Sequence, residues 1–366
     1  MQLCLTIVPL LLSVVLAMYI IPRILLVSVK KDLVIPSETH DKDRQKVPRL
    51  GGISLFPVLV ISVGTSVVLS LALNPDFLLG SEPESAIVQY LFALAGVATV
   101  YLLGVMDDLI GVSLTSKLAI EFIASLLIPL SGLWLNDFHG LLGIGEVPAA
   151  VGMPVTVFTI LYITNAVPIL DDVDGLASGL AMIAFTVLAY LSWLANQPLL
   201  LIVCMAMTGM LLPLFFRNVA GKHIHWRNLY LGDTGGLVIG YVLSFVVIAL
   251  SRMGGTILPD GVLMVCFGTL LIPMFDVLRV AVTRVVNHRN IFMRDNNHIH
   301  HRLMQGGMQP MGVLLTLLAV CLFFIGLNFV GVWLGWNLSL LMVADVLCWL
   351  LMQVVISYYK NKNREF

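Results

Sequence analysis

The feature that most constrains this chain is a train of apolar runs, each long enough to cross a bilayer. A hydrocarbon core is spanned by about 17–25 apolar residues in a helix. Eleven such runs can be read, at roughly 4–27, 51–73, 86–105, 118–135, 152–170, 176–195, 198–216, 235–252, 262–285, 311–334 and 337–358. In lipid every backbone N–H and C=O needs an internal partner, so these runs must be helices. Composition agrees, with 59% of residues hydrophobic, 11% charged and a mean hydropathy of +0.99. A soluble domain is about one-quarter charged, so a water-soluble globular class is excluded. The expected fold is all-α: a polytopic transmembrane bundle of about 11 spans, forming one integral membrane domain over residues 1–366. No soluble domain, long linker or low-complexity tract interrupts it.

Basic residues orient the bundle. Lys30, Lys31, Lys42, Arg44, Lys46 and Arg49 separate the first two runs. Lys117 precedes the fourth, and Arg217, Lys222 and Arg227 lie between the seventh and eighth. Arg284, Arg289, Arg294 and Arg302 follow the ninth, and Lys360, Lys362 and Arg364 form the tail. With an odd number of spans all of these face one side. The opposite loops carry Asp76, Glu82, Glu84, Asp137, Glu146 and Asp260, with Arg252 the one basic exception. The positive-inside rule then places the N-terminus outside and the C-terminus in the cytoplasm. No basic stretch precedes the first run, which reads as an anchor rather than a cleaved signal. Cys4, Cys204, Cys266, Cys321 and Cys348 all fall in apolar runs without metal-type spacing and read as packing residues.

The ionisable residues collect on the side expected to be cytoplasmic. Asp107 and Asp108 are adjacent carboxylates that repel unless a cation or proton resolves them; a solvated loop start is the plain alternative. Asp171 and Asp174, three apart, would share a helical face, or could cap the next helix. Asp233 lies among Gly232, Gly235 and Gly236 at the mouth of the eighth span, where helix N–H groups can meet an anion or the glycines simply make a turn. His298, His300 and His301 form a dense run flanked by Arg294 and Arg302. Their spacing is not that of a tetrahedral zinc site, and the flanking arginines favour phosphate. Carboxylates from several loops suggest Mg²⁺, which is held by a few carboxylates plus substrate phosphate oxygens.

These residues resemble the polyprenyl-phosphate N-acetylhexosamine-1-phosphate transferases of glycosyltransferase family 4. The likeness is to bacterial undecaprenyl-phosphate N-acetylglucosamine-1-phosphate transferases and, more distantly, to phospho-MurNAc-pentapeptide transferases. It rests on Pro48-Arg49-Leu50-Gly51-Gly52, on Asp107-Asp108 through Ser113 to Lys117, and on Asn165-Ala166 followed by Asp171 and Asp174-Gly175-Leu176. Gly232-Asp233-Thr234-Gly235 and His298-Ile299-His300-His301 complete the set. The resemblance implies attack of a polyprenyl phosphate on a UDP-sugar, with release of UMP and the start of lipid-linked glycan assembly. It implies Mg²⁺ as cofactor, with Mn²⁺ as the alternative ion. Asp107, Asp108 and Lys117 match catalytic positions, and Asp233 with Asp107 and Asp108 matches the metal positions. Asn165, Asp171, Asp174, Tyr230, Arg294, His298, His300 and His301 match substrate contacts, Tyr230 stacking on uracil. The expected setting is the bacterial cytoplasmic (inner) membrane, multi-pass, with the site facing the cytoplasm. No nucleic-acid partner is expected, and a homodimer is left open.

The chain departs from that family's pattern at particular places. Pro168 replaces an amide, Asp172 replaces a glycine, Gly236 replaces a serine and Asn296 replaces a basic residue. Pro168 lacks an N–H and should kink or end the fifth span before the acids. Other readings are a non-catalytic paralogue that binds lipid phosphate or nucleotide, a transporter using Glu121, Asp276 and Asp345, or an intramembrane aspartyl protease. For Asp276 and Arg279, three apart, pairing within one helix is the default.

Overall fold

The computed structural model describes residues 2–31, 34–36, 46–48, 50–79, 84–220, 231–291 and 297–362. Among these the chain is built from α-helices. They are α1 (Gln2–Lys30), α2 (Leu55–Leu73), α3 (Pro75–Leu79), α4 (Glu84–Ile110), α5 (Leu114–Leu130), α6 (Ala149–Ala166) and α7 (Leu176–Leu194). Then follow α8 (Pro198–Ala220), α9 (Gly232–Ser251), α10 (Val262–Gly268), α11 (Leu271–Val286), α12 (Ile299–Gln305), α13 (Pro310–Trp333) and α14 (Leu338–Lys362). Two short antiparallel hairpins, β1 (Val34–Pro36) with β2 (Lys46–Pro48) and β3 (Asp137–Leu141) with β4 (Ile144–Glu146), lie in connections. The all-α membrane bundle expected from the sequence is the architecture observed.

Nine of the described helical spans are long and apolar enough to cross a membrane, and α10 with α11 makes a tenth as a bent pair. The remaining expected run, the fourth, is α5, a helix of 17 residues. The expected ninth span is therefore a broken one, bent by 71° between Gly268 and Leu271. Pro273 explains the break, because its ring clashes with the carbonyl four residues back, at Thr269, and supplies no N–H to it. Thr269 turns its own hydroxyl onto the Cys266 carbonyl at 2.7 Å. Pro168 acts as expected: α6 ends at Ala166, and a 3-10 turn, Pro168–Asp172, follows.

The core sits around α9. Its membrane segment is wholly buried, with α4, α6, α7 and α10 packed against it. A helix apolar all round belongs in such a position. α1, α2 and α7 pack on α8 beside it, and α13 joins through α7 and α10. The 3-10 turn Leu50–Ser54 closes on the start of α9. Gly52 donates its N–H to the Leu231 carbonyl at 2.8 Å. A Cβ at Gly52 would lie 2.1 Å from the Gly235 nitrogen, so only glycine permits this approach.

The connections gather at two ends. At one end the last turn of α4, the first turn of α5, the turn after α6 and the start of α9 meet. At the other, Arg252 Nη1 donates to the Gly132 carbonyl at 2.9 Å and Leu142 N donates to Ser339 Oγ at 2.8 Å.

Candidate active site

Asp107 and Asp108 lie in the last turn of α4, where the helix dipole is negative and carboxylates are disfavoured. Each is compensated by another element. Lys117 Nζ, on the first turn of α5, donates to Asp107 Oδ2 at 2.8 Å and to Asp233 Oδ1 at 2.7 Å. Ser113 places that lysine by capping α5, its Oγ accepting from Ser116 N at 3.2 Å. Asp107 Oδ1 accepts from Val112 N at 2.8 Å. The Lys117 and Asp107 side chains are only 15% and 14% exposed, and Asp233 is 33% exposed.

Asp108 serves α9 instead. Its two oxygens accept from the backbone N–H groups of Asp233 and Thr234, each at 2.9 Å, and from the Thr234 hydroxyl. Asp171 Oδ2 accepts from Gly232 N at 3.1 Å. Three of the four N–H groups that a helix start leaves unpaired are thus met by carboxylates from α4 and from the turn after α6. Asp171 caps α9 rather than α7, whose N-cap, Gly175, has φ +81° and no side-chain cap. The expected common helical face of Asp171 and Asp174 does not form, because the 3-10 turn and the reversal at Gly175 intervene.

Asn165, on α6, donates to Glu121 on α5, one turn along from Lys117. The remaining polar group comes from α11 and α12. Asp276 accepts from His298 Nδ1 at 2.8 Å, from Ile299 N at 3.0 Å and from Arg279 Nη2 at 2.8 Å. His298 is therefore committed to Asp276 and holds the start of α12. His300 Nε2 and His301 Nε2 each stand 3.4 Å from Asp172 Oδ2. Burial holds the His300 imidazole below its ordinary range, against the opposing pull of Asp172.

The structure thus links most of the expected residues into one polar network. His300 and His301 touch Asp172, its neighbour Asp171 caps α9, and α9 presents Asp233 to Lys117 and Asp107. Tyr230, Arg294 and Asn296 lie outside the described residues. Sequence reasoning missed Glu121, Thr234 and Asp276 as supports. Glu121 had a signal, standing four residues after Lys117 and so on its face of the helix. The in-span acids weighed for a transporter are each paired: Glu121 with Asn165, Asp276 with Arg279 and His298, and Asp345 with Asn328 at 3.0 Å. A cleft of about 620 Å³ opens at the opposite end, lined by His139, Asp260 and Trp336 among others. It contains none of the clustered groups.

The oxygens of Asp107 and Asp233 converge on one ammonium, so a hard cation can be held by the same pair. Fold and site together define a multi-pass membrane protein with acids, Lys117 and histidines gathered at one end of its bundle. Residues 90–251 match the model of glycosyl transferase family 4, the family that the motifs resemble. It is 27% identical over 279 residues to a Bacillus subtilis protein named "Probable undecaprenyl-phosphate N-acetylglucosaminyl 1-phosphate transferase", covering 74% of this chain and 68% of that one. It is 27% identical over 306 residues to the undecaprenyl-phosphate alpha-N-acetylglucosaminyl 1-phosphate transferase of Escherichia coli K12, covering 82% and 77%. The Yersinia pestis protein of that name is 25% identical over 325 residues, covering 86% and 83%.

Proposed function

We propose that this enzyme transfers N-acetylhexosamine-1-phosphate, with N-acetylglucosamine as the sugar, from a UDP-sugar to polyprenyl phosphate at the cytoplasmic face of a bacterial inner membrane. The observation that carries the reading is the Lys117 ammonium held between Asp107 and Asp233, in a chain whose relatives bear transferase names. An oxygen of the lipid phosphate attacks the β-phosphorus of the UDP-sugar. The bond from that phosphorus to the bridging oxygen breaks, and UMP leaves with the electron pair. A phosphate monoester has its second pKa near 6, so the nucleophile is already a dianion at neutral pH and needs no general base. Positioning and charge neutralisation then dominate, as in other phosphoryl transfers.

Asp107 and Asp233 would hold Mg²⁺, which supplies positive charge to the diphosphate when bound. Lys117 neutralises both carboxylates and is displaced towards phosphate oxygens as they arrive. Asp108 and Asp171 hold the start of α9 in register, which fixes Asp233. Asn165, steadied by Glu121, would contact the sugar nucleotide.

Asp233→Asn keeps the shape of the side chain and removes its charge. With UDP-GlcNAc, polyprenyl phosphate and limiting Mg²⁺, UMP release should fall by orders of magnitude. Near-normal turnover would remove Asp233 from the metal role.

A further inference from the structure

The proposed chemistry leaves the contact between Asp172 and the histidine run unused. Asp172 stands where the resembled pattern has a glycine. Its Oδ2 lies 3.4 Å from Nε2 of both His300 and His301. That is longer than the 2.7–2.9 Å typical of a charge-assisted hydrogen bond. His300 is wholly buried, yet among the described residues neither of its ring nitrogens has a hydrogen-bond partner. Leaving buried polar atoms unmet costs about 1–3 kcal/mol each, which points to a missing ligand at the ring.

We propose that Asp172, His300 and His301 form a second metal site, separate from Asp107 and Asp233, that takes a transition-metal dication of the Zn²⁺ type. One ligand atom from each residue lies within 4.8 Å of the others. Around a metal with bonds of about 2.0–2.1 Å, tetrahedral donors stand about 3.3–3.4 Å apart. Both oxygen–nitrogen edges have that length. The third edge, between the imidazoles, closes by rotation of His301, whose side chain is 21% exposed. The His300 and His301 rings already lie with centroids 4.2 Å apart. Two imidazoles and one carboxylate suit a borderline ion better than Mg²⁺. They also leave a fourth position open, as catalytic zinc sites do. Asp172 is 61% exposed, which gives an ion access from solvent. The ion would offset the repulsion that three carboxylates at Asp171, Asp172 and Asp174 present to an anion. Metal binding stands apart from the transferase reading; only the use of the open position by a phosphate oxygen rests on it.

The test uses the full-length protein, purified in detergent, stripped of metal and titrated with Co²⁺ alone. Wild type should bind one equivalent with the visible absorption of low-coordinate Co²⁺, and Zn²⁺ should bleach it. Asp172→Gly and His301→Gln alter exposed or half-buried side chains and should elute as folded protein. Each should weaken that binding more than about 100-fold, beyond the roughly 10–100-fold cost of disturbing an outer-shell partner. Asp233→Asn should keep the absorption while losing turnover. No absorption in wild type, or equal affinity in Asp172→Gly, would overturn the second site and leave the transferase reading intact. Loss of the absorption in Asp233→Asn would also overturn it, by placing the ion at the first pair.

Discussion

Pro168 and Gly236 are a matched pair, although 68 positions separate them. A Cβ built on Gly236 would fall 2.6 Å from Pro168 Cγ and 2.7 Å from its Cα. The family's pattern has an amide at the first position and a serine at the second, so the two departures trade volume against each other. Gly236→Ser alone overpacks this contact and should lower stability by about 1–3 kcal/mol. Pro168→Asn alone removes the ring from the start of α9. Made together they should cost less than the sum, with a coupling of about 0.5–3 kcal/mol. Thermal unfolding of the four proteins in one detergent measures it, and strictly additive shifts would show that the two positions are independent. At this scale the sequence was legible only in part. The types and clustering of Asp107, Lys117, Asp233 and the histidines announced a polar site. That Asp108 caps α9, and that Asp172 faces His300 and His301, depends on pairs 125 to 129 residues apart, which local spacing cannot reveal.

Among the elements, α9 and α12 are each anchored by acids belonging to other helices. Asp108 and Asp171 answer the positive end of α9, and Asp276 on α11 answers the start of α12. The Asp276 side chain is 1% exposed and is shared by Arg279 and His298. Arg279 also donates to the Asn297 carbonyl, so one buried pair ties the broken span to the histidine run. Asp276→Asn leaves Arg279 without its counter-charge, and breaking a buried pair in this way costs about 3–5 kcal/mol. The expected result is local. Hydrogen exchange should accelerate at residues 297–305, while residues 237–250 of α9 remain protected. Unchanged exchange at Ile299 would mean that α12 is held by its apolar contacts instead. The Asp276–Arg279 pair was readable from its spacing of three. Its attachment to His298 was hidden because the break at Thr269–Leu270 sets the direction in which α11 leaves the bundle.

For the molecule as a whole, every apolar run became a helix, because lipid allows no other way to satisfy the backbone. The break in the ninth run was not foreseen from hydropathy, which counts apolar residues and ignores the carbonyl that Pro273 leaves behind. The structure sorts the connections into two sets. One end holds Asp107, Lys117, Asp171, Asp233 and His300. At the other, Arg252 meets Gly132, His139 Nε2 lies 3.4 Å from the Ser251 carbonyl, and Leu142 meets Ser339. Lys30, Lys31, Lys117, Arg217, Arg284 and Arg289 belong to the first set, while Asp137, Glu146 and Asp260 belong to the second beside the single Arg252. Positive charge near span ends is retained in the cytoplasm, so the end that holds the acids and histidines should face inward. Thr256 and Asn290 are exposed at opposite ends and neither carries charge, so cysteines there leave the bias undisturbed. Cys204, Cys266 and Cys321 are buried, and replacing Cys4 and Cys348 by serine removes the other thiols. In intact cells a membrane-impermeant thiol reagent should label Thr256→Cys at once and Asn290→Cys only after permeabilisation. The opposite pattern would turn the bundle over and place the acids and histidines outside, against the proposed use of a cytoplasmic sugar nucleotide.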